Sequence, residues 1–244
     1  AVAAGLVFLE DEIKNVRAYS TVGQLSYHCT ELGTCLLFLN IEQHHAGYFV
    51  IGASVFHLFN HAVAKGMLFI ASGSVINEVH HAHDHVRELS EKYSTNEGDD
   101  HGDVDPQDMR NMGGLAARMP VTATAMMLGS MSIIGIPLIG GFWSKEGIIA
   151  ETWAACLHEE PLMLVPAVLV LATAGMTGFY MTRMWLMTFA GPPTSEVVGH
   201  VHETTPWIKE PLITLSVITA LGGFALPLLG APASLGAPHH AEPS

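Results

Sequence analysis

Between Arg118 and Lys145 the chain carries no Asp, Glu, Lys or Arg. A run of that length is enough to cross a bilayer: at 1.5 Å per residue, about 20 apolar residues span a hydrocarbon core ~30 Å thick. Two further charge-free runs extend from Gln43 to Ala64 and from Pro161 to Thr182. Stretches this poor in charge cannot coat a surface that faces water, so they fix the environment before any fold is considered. Composition agrees: charged residues are 14% of the 244, against about a quarter in soluble domains. The acids are bunched, ten of the 23 lying between Glu78 and Asp108. A net charge of −13 with no basic face excludes a nucleic-acid partner. The expected fold class is an all-α integral membrane bundle in a lipid bilayer, with one acidic aqueous loop.

Turn residues and charge divide the chain. Residues 1–79 hold two helices, from Ile13 to Asn40 and from about Gly47 to Glu78. Residues 80–119 read as an acidic, His-rich extramembrane loop, mobile in its centre. Residues 120–190 hold a broken helix and a further membrane helix, Pro161 to Phe189. A loop (191–210), a last membrane helix (211–230) and a small-residue tail (231–244) follow. The break is GIPLIGG, with Gly135, Pro137, Gly140 and Gly141. Proline removes a backbone donor and clashes one turn back, while glycine adds freedom, so an interruption is expected rather than a kink. Cys29, Cys35 and Cys156 make neither a disulfide framework nor a CxxC pair, and Cys29 and Cys35 read as small core residues. The opening AVAAGLVFLEDEIK has no basic segment before its apolar run. No signal peptide is read there, and a piece of something longer is expected.

Chemistry concentrates in the lysines. Of five, Lys14, Lys65 and Lys145 lie in or against apolar helices. A charge inside a membrane helix costs at least ~2.5–3.5 kcal/mol and marks a functional site by default. Burial disfavours the ammonium form, so such an amine can load and release a proton. His57, His61 and Lys65 are four apart and share one helix face as a stripe ~12 Å long, flanked by Ser54 and Ser72. Imidazole accepts a proton on one nitrogen and gives one from the other, so the stripe reads as a relay. Interhelical hydrogen bonds or chelation by histidines four apart are the blander readings. Lys145 follows the break. Either it sits at the midpoint of a long interrupted helix, where freed carbonyls accept hydrogen bonds, or it snorkels at the interface. Glu146, its neighbour, faces elsewhere. Glu31 lies deep in the first helix and needs a partner there; meeting the His/Lys stripe is one way to find it. Lys14, beside Asp11 and Glu12, reads from its neighbours as an interfacial lysine. HHAHDH supplies His80, His81, His83 and His85, a weak metal-binding tract that a solvated loop explains as well.

DEIKNVRAYSTVGQLSY, FHLFNHAVAKGMLFIASGSVI, DMRNMGGLAARMP and IPLIGGFWSKEGII, in that order, closely resemble subunit L of respiratory complex I. The later RMWLMTFAGPP and HVHETTPWI resemble the same family, which is antiporter-like and shared with Mrp-type sodium/proton antiporters. The resemblance implies a bundle of two inverted five-helix repeats, each with a broken helix. This chain would hold most of the second repeat plus later helices. The family's hydrophilic axis falls on Lys14, His57, His61, Lys65 and Lys145, with Lys145 near the proton exit and Lys14 buried. Glu31 and Glu146 are possible accessories. The family's Ser-Lys-Asp-Glu is here Ser144-Lys145-Glu146-Gly147, which keeps one acid and loses the next. The first repeat, with its Glu–Lys coupling pair, and the distal lateral helix are not in these 244 residues.

The expected function is therefore proton translocation by a membrane-arm segment of a complex I-type quinone oxidoreductase. The electron donor (NADH, a deazaflavin or ferredoxin) is left open. The chain would carry no redox centre or cofactor of its own; flavin, iron–sulfur clusters and a quinone would belong to other subunits. Partners would be the other membrane-arm subunits, including the N-terminal half or its equivalent, in an energy-transducing membrane crossed several times, most simply a prokaryotic cell membrane. Two rivals stand: the large subunit of an Mrp-type antiporter, and a membrane-anchored metal-binding or scaffold protein using the His-rich loop.

Overall fold

The computed structural model describes residues 2–93 and 105–228. Among them there are seven α-helices and no strand: α1 Val2–Leu6, α2 Ile13–Asn40, α3 His44–Tyr93, α4 Pro120–Ile134, α5 Gly140–His158, α6 Leu164–Phe189 and α7 Pro206–Leu228. The all-α expectation holds, and α2 has the predicted ends. Among the described residues two stretches are long and apolar enough to cross a membrane: His44–Leu89 in α3, and Pro161–Phe189, which is α6 with the short 3-10 turn before it.

The central helix is α3, packed against α2, α4, α5 and α7. Its 50 residues correct the expectation that it ends at Glu78 and gives way to a loop at residue 80. No Gly or Pro occurs between Gly73 and Gly98 to stop it. Val75, Val79 and Ala82 are buried and Val86 packs on the same core, a helical period that holds the segment against its neighbours. His80, His81, His83 and His85 are therefore helical. His80 and His81 are exposed, and His80 pairs with Asp84 at 3.2 Å. Among the described residues no group of three or more His, Cys, Asp or Glu is placed to hold a metal ion.

The closing part of the expected loop is packed into the core rather than extramembrane surface. Met109, Met112, Leu115 and Met119 are all buried, because methionine and leucine at steps of three and four give this segment an apolar face of its own. Its backbone is pinned: Met109 N–H donates to Asp11 O at 2.9 Å, Ile13 N–H to Gln107 O at 3.1 Å and Gly114 N–H to Ala190 O at 3.1 Å. Arg183 closes the corner, donating to Asp11 at 2.6 Å and Glu10 O at 2.8 Å. Residues 94–104 and the tail from 229 lie outside the described residues. The 191–210 loop supplies a helix cap. Its Glu203 carboxylate accepts from Val121 N–H at 2.8 Å and Thr122 Oγ1 at 2.7 Å. These contacts close the start of α4, the end where helix dipole and free N–H groups favour an anion.

The break expected at GIPLIGG occupies residues 135–139, between α4 and α5. Gly135 ends α4 in the left-handed region at φ 89°, a conformation that suits glycine. Leu138 takes φ 74°, a cost a leucine bears only when its surroundings enforce it. Gly141 has a different reason to be glycine: a β-carbon there would lie 1.9 Å from the Ser132 carbonyl oxygen. The start of α5 is thus laid directly against the α4 backbone. One further correction concerns cysteine: Cys35 is buried, but Cys29 is exposed.

Candidate functional site

The site is a seam between α2, α3 and α5. On α3 the predicted stripe is present: His57 and Lys65 are buried and His61 is half-buried. Facing it, α2 turns Arg17, Ser20, Gln24, Tyr27, Glu31 and Thr34 inward, all buried. These recur every three or four residues, so one face of an otherwise apolar helix is polar. Sequence reasoning found only Glu31 of this row; the three-and-four spacing of its polar side chains was the available signal.

Lys65 and Lys145 are 6% and 4% exposed. Lys65 Nζ donates to Arg17 O at 2.8 Å and to Ser20 Oγ. The Arg17 guanidinium lies over the Phe69 ring at 4.5 Å and donates to Phe69 O at 3.3 Å. Two cationic side chains thus share this end with carbonyls and a ring as partners. Lys145 Nζ donates to Ile133 O, a carbonyl of the last turn of α4 whose helical acceptor role ends at the break. It also lies 4.9 Å from the centre of the Tyr27 ring, a cation–π distance. Of the two readings of Lys145, burial at the interruption is the one found; it does not snorkel. Glu146 is exposed.

Between the lysines stand the histidines. His57 Nδ1 and Ser144 Oγ are 3.1 Å apart, which joins α3 to the residue before Lys145. The His57 and His61 rings stack at 6.2 Å, and each leaves a buried Nε2 without a hydrogen bond. A small cavity lined by Gln24, His57, Asn60, His61 and Ser132 offers about 10 Å³ for a water centre, close to the least that holds one molecule. Glu31, 1% exposed, meets this file through a residue not predicted: His28 Nδ1 is 2.9 Å from Glu31 Oε2 and 3.1 Å from Ser54 Oγ. Buried bases this closely spaced, with hydroxyls and room for water between them, can pass a proton from group to group.

Lys14 is not in the file. Its side chain is 49% exposed and pairs with Glu12 at 3.2 Å. The burial implied by the family resemblance is corrected: Lys14 lies in the first turn of α2, off the face that carries Arg17, Ser20 and Gln24 inward.

Residues 2–173 match the model of the NADH:quinone oxidoreductase/Mrp antiporter transmembrane family. The chain belongs to that family. Similar proteins include an NAD(P)H-quinone oxidoreductase chain 5 of Picosynechococcus, 34% identical over 94% of this chain and 31% of its own. Another is the chloroplastic NAD(P)H-quinone oxidoreductase subunit 5 of Chaetosphaeridium globosum, 35% identical over 96% of this chain and 30% of its own. The chain thus spans about a third of the length of these curated relatives. Among solved structures, the fold is shared with a chain of the Mrp complex of Dietzia at TM-score 0.54, with 21% identity over 91% of this chain and 48% of that one. A chain of an archaeal membrane-bound sulfane sulfur reductase shares it at TM-score 0.54, with 19% identity over 84% of this chain and 32% of that one. These likenesses place the all-α fold within a transmembrane family.

Proposed function

We propose that this segment carries protons along the membrane midplane, as part of a multi-pass membrane-arm subunit of a complex I-type quinone oxidoreductase. Lys145 is the terminal carrier, Lys65 the central one, and His57 and His61 the relay between them. The observation that carries this reading is Lys145 itself, a buried amine held by a helix-break carbonyl one residue after Ser144, whose hydroxyl meets the His57 ring. A lysine with only a structural role gains nothing from that position, since desolvating the ammonium is costly without a carboxylate partner. The chain contributes translocation; electron transfer, with its flavin, iron–sulfur clusters and quinone, belongs to partner subunits.

Two measurements test this. Lys65→Ala should leave assembly intact and lower proton uptake into vesicles; unchanged uptake removes Lys65 from the route. Purifying the native assembly and identifying its subunits decides between oxidoreductase and antiporter. Iron–sulfur and quinone-site subunits support the reading given. A set of small membrane subunits with no redox partner favours the Mrp-type reading, which the shared fold and the common family keep as the second choice. The His-rich scaffold reading gains no support from the exposed helical placement of His80 and His81.

A further inference from the structure

The proton file as described consists of bases: Lys65, His61, His57 and Lys145. A proton on any of them places net positive charge in an apolar interior. Among the described residues, Glu31 is the one buried carboxylate; the other buried charged side chains are Arg17, Lys65 and Lys145. Glu31 is set beside the file rather than in it. Its Oε2 lies 2.9 Å from His28 Nδ1, and its Oε1 is buried and unpaired. The His28 ring lies 5.2 Å from the His57 ring, centre to centre, and His28 Nε2, like that of His57, is buried without a hydrogen bond. Ser54 Oγ of α3 meets the same His28 nitrogen at 3.1 Å, on the Glu31 side of the ring. The groups facing His28 are thus Glu31 on its own helix and Ser54 and His57 on α3, with Ser144 and Lys145 beyond His57.

We propose that Glu31, acting through His28, is the counter-charge and proton-holding side site of the file, joined to it at His57. The arrangement is that of a carboxylate–histidine dyad. Nδ1–H of His28 donates to the Glu31 carboxylate, which fixes the tautomer and leaves Nε2 free to take a proton. When His57 gives up a ring proton, that proton adds to His28 Nε2, and the imidazolium is balanced by Glu31 at hydrogen-bond distance. The reverse step returns it. Only N–H bonds form and break, and the number of protons is conserved. With the ring centres 5.2 Å apart, an imidazole rotation brings the two nitrogens together. A proton can therefore wait beside His57 with its charge balanced, which lets the file pass protons in turn between its two lysines.

The inference rests on the translocation reading, and its test separates the two. Glu31→Gln, His28→Gln and the double variant are compared with Lys145→Ala in the assembled complex reconstituted into vesicles. Proton uptake and its D₂O isotope effect are read together with the amount of assembled complex. Each single variant is expected to slow uptake about tenfold, the scale of one lost charge-assisted hydrogen bond in a dry site. The double variant should be no slower than either single, since the pair acts as a unit, and the isotope effect should rise. Glu31→Asp should recover part of the rate, and it stands in if Glu31→Gln does not assemble. Normal uptake in the Glu31 and His28 variants beside a dead Lys145→Ala overturns the side site and leaves the file standing. Additive losses with an unchanged isotope effect also overturn it, since they mark a packing role. Normal uptake in Lys145→Ala as well overturns the translocation reading itself.

Discussion

Gly141→Ala is the sharpest structural perturbation of the break. The added β-carbon falls 1.9 Å from Ser132 O and 2.8 Å from Ser132 C. Both atoms are backbone, so no side chain can swing away. Non-bonded carbon and oxygen do not approach within about 3 Å, so α5 must retreat from α4 by roughly 1 Å. Overpacking of this kind costs about 1–3 kcal/mol where the surroundings can relax, and a backbone contact places this case at the upper end. The retreat also pulls on the bond that depends on the same approach, Lys145 Nζ to Ile133 O, and shifts Ser144 against its α3 partner His57. The control is Gly175→Ala in α6, where a β-carbon meets nothing within 4 Å and a helix gains roughly 0.5–1 kcal/mol from the exchange. The assay is the fraction of complex that survives graded heating in detergent, with proton uptake at a permissive temperature. The expected outcome is lower heat survival and slower uptake for Gly141→Ala, and neither for Gly175→Ala. If Gly141→Ala matches wild type in both, α5 is not laid on α4 as described, and the placement of Lys145 falls with it.

Two further outcomes follow from residues at the rim. Lys14→Ala should leave uptake unchanged and stability within about 1 kcal/mol, the usual worth of an exposed ion pair; a large loss of uptake would return Lys14 to the route. The Asp108 carboxylate accepts from Arg110 Nε and Nη2 at 3.0 and 2.7 Å, and that hydrogen bonding holds it below the ordinary aspartate value. Its contribution is therefore complete above about pH 4 and is lost as pH falls below that, through the lower folded value. Hydrogen exchange at the Met109 amide should stay slow from about pH 8 to about pH 5 after correction for intrinsic rates; protection lost already near about pH 6 would contradict this.

The parts legible in the sequence were those set by charge and by glycine and proline. The absence of charge gave the membrane helices, and GIPLIGG marked the break. Lys65 and Lys145 stood out because an amine in an apolar run is expensive. What escaped was decided by packing. The continuation of α3 to Tyr93 depends on Val79 and Ala82 finding partners, while their charged and histidine neighbours suggested solvent. Met109 to Met119 was assigned to a loop by its surroundings, although its methionines and Leu115 fill a core. His28 was invisible as a single histidine because its meaning comes from Glu31 one turn away and from Ser54 and His57 across a helix interface. Lys14 shows the opposite error: a family pattern placed it inside, and its position in the first turn of α2 places it outside.

The most direct measurement is proton uptake by vesicles holding the complex with Lys145→Ala. The complex is expected to assemble and to lose most of its uptake, because no amine then remains at the helix break to receive the proton. Uptake at the wild-type rate from a fully assembled Lys145→Ala complex would contradict this.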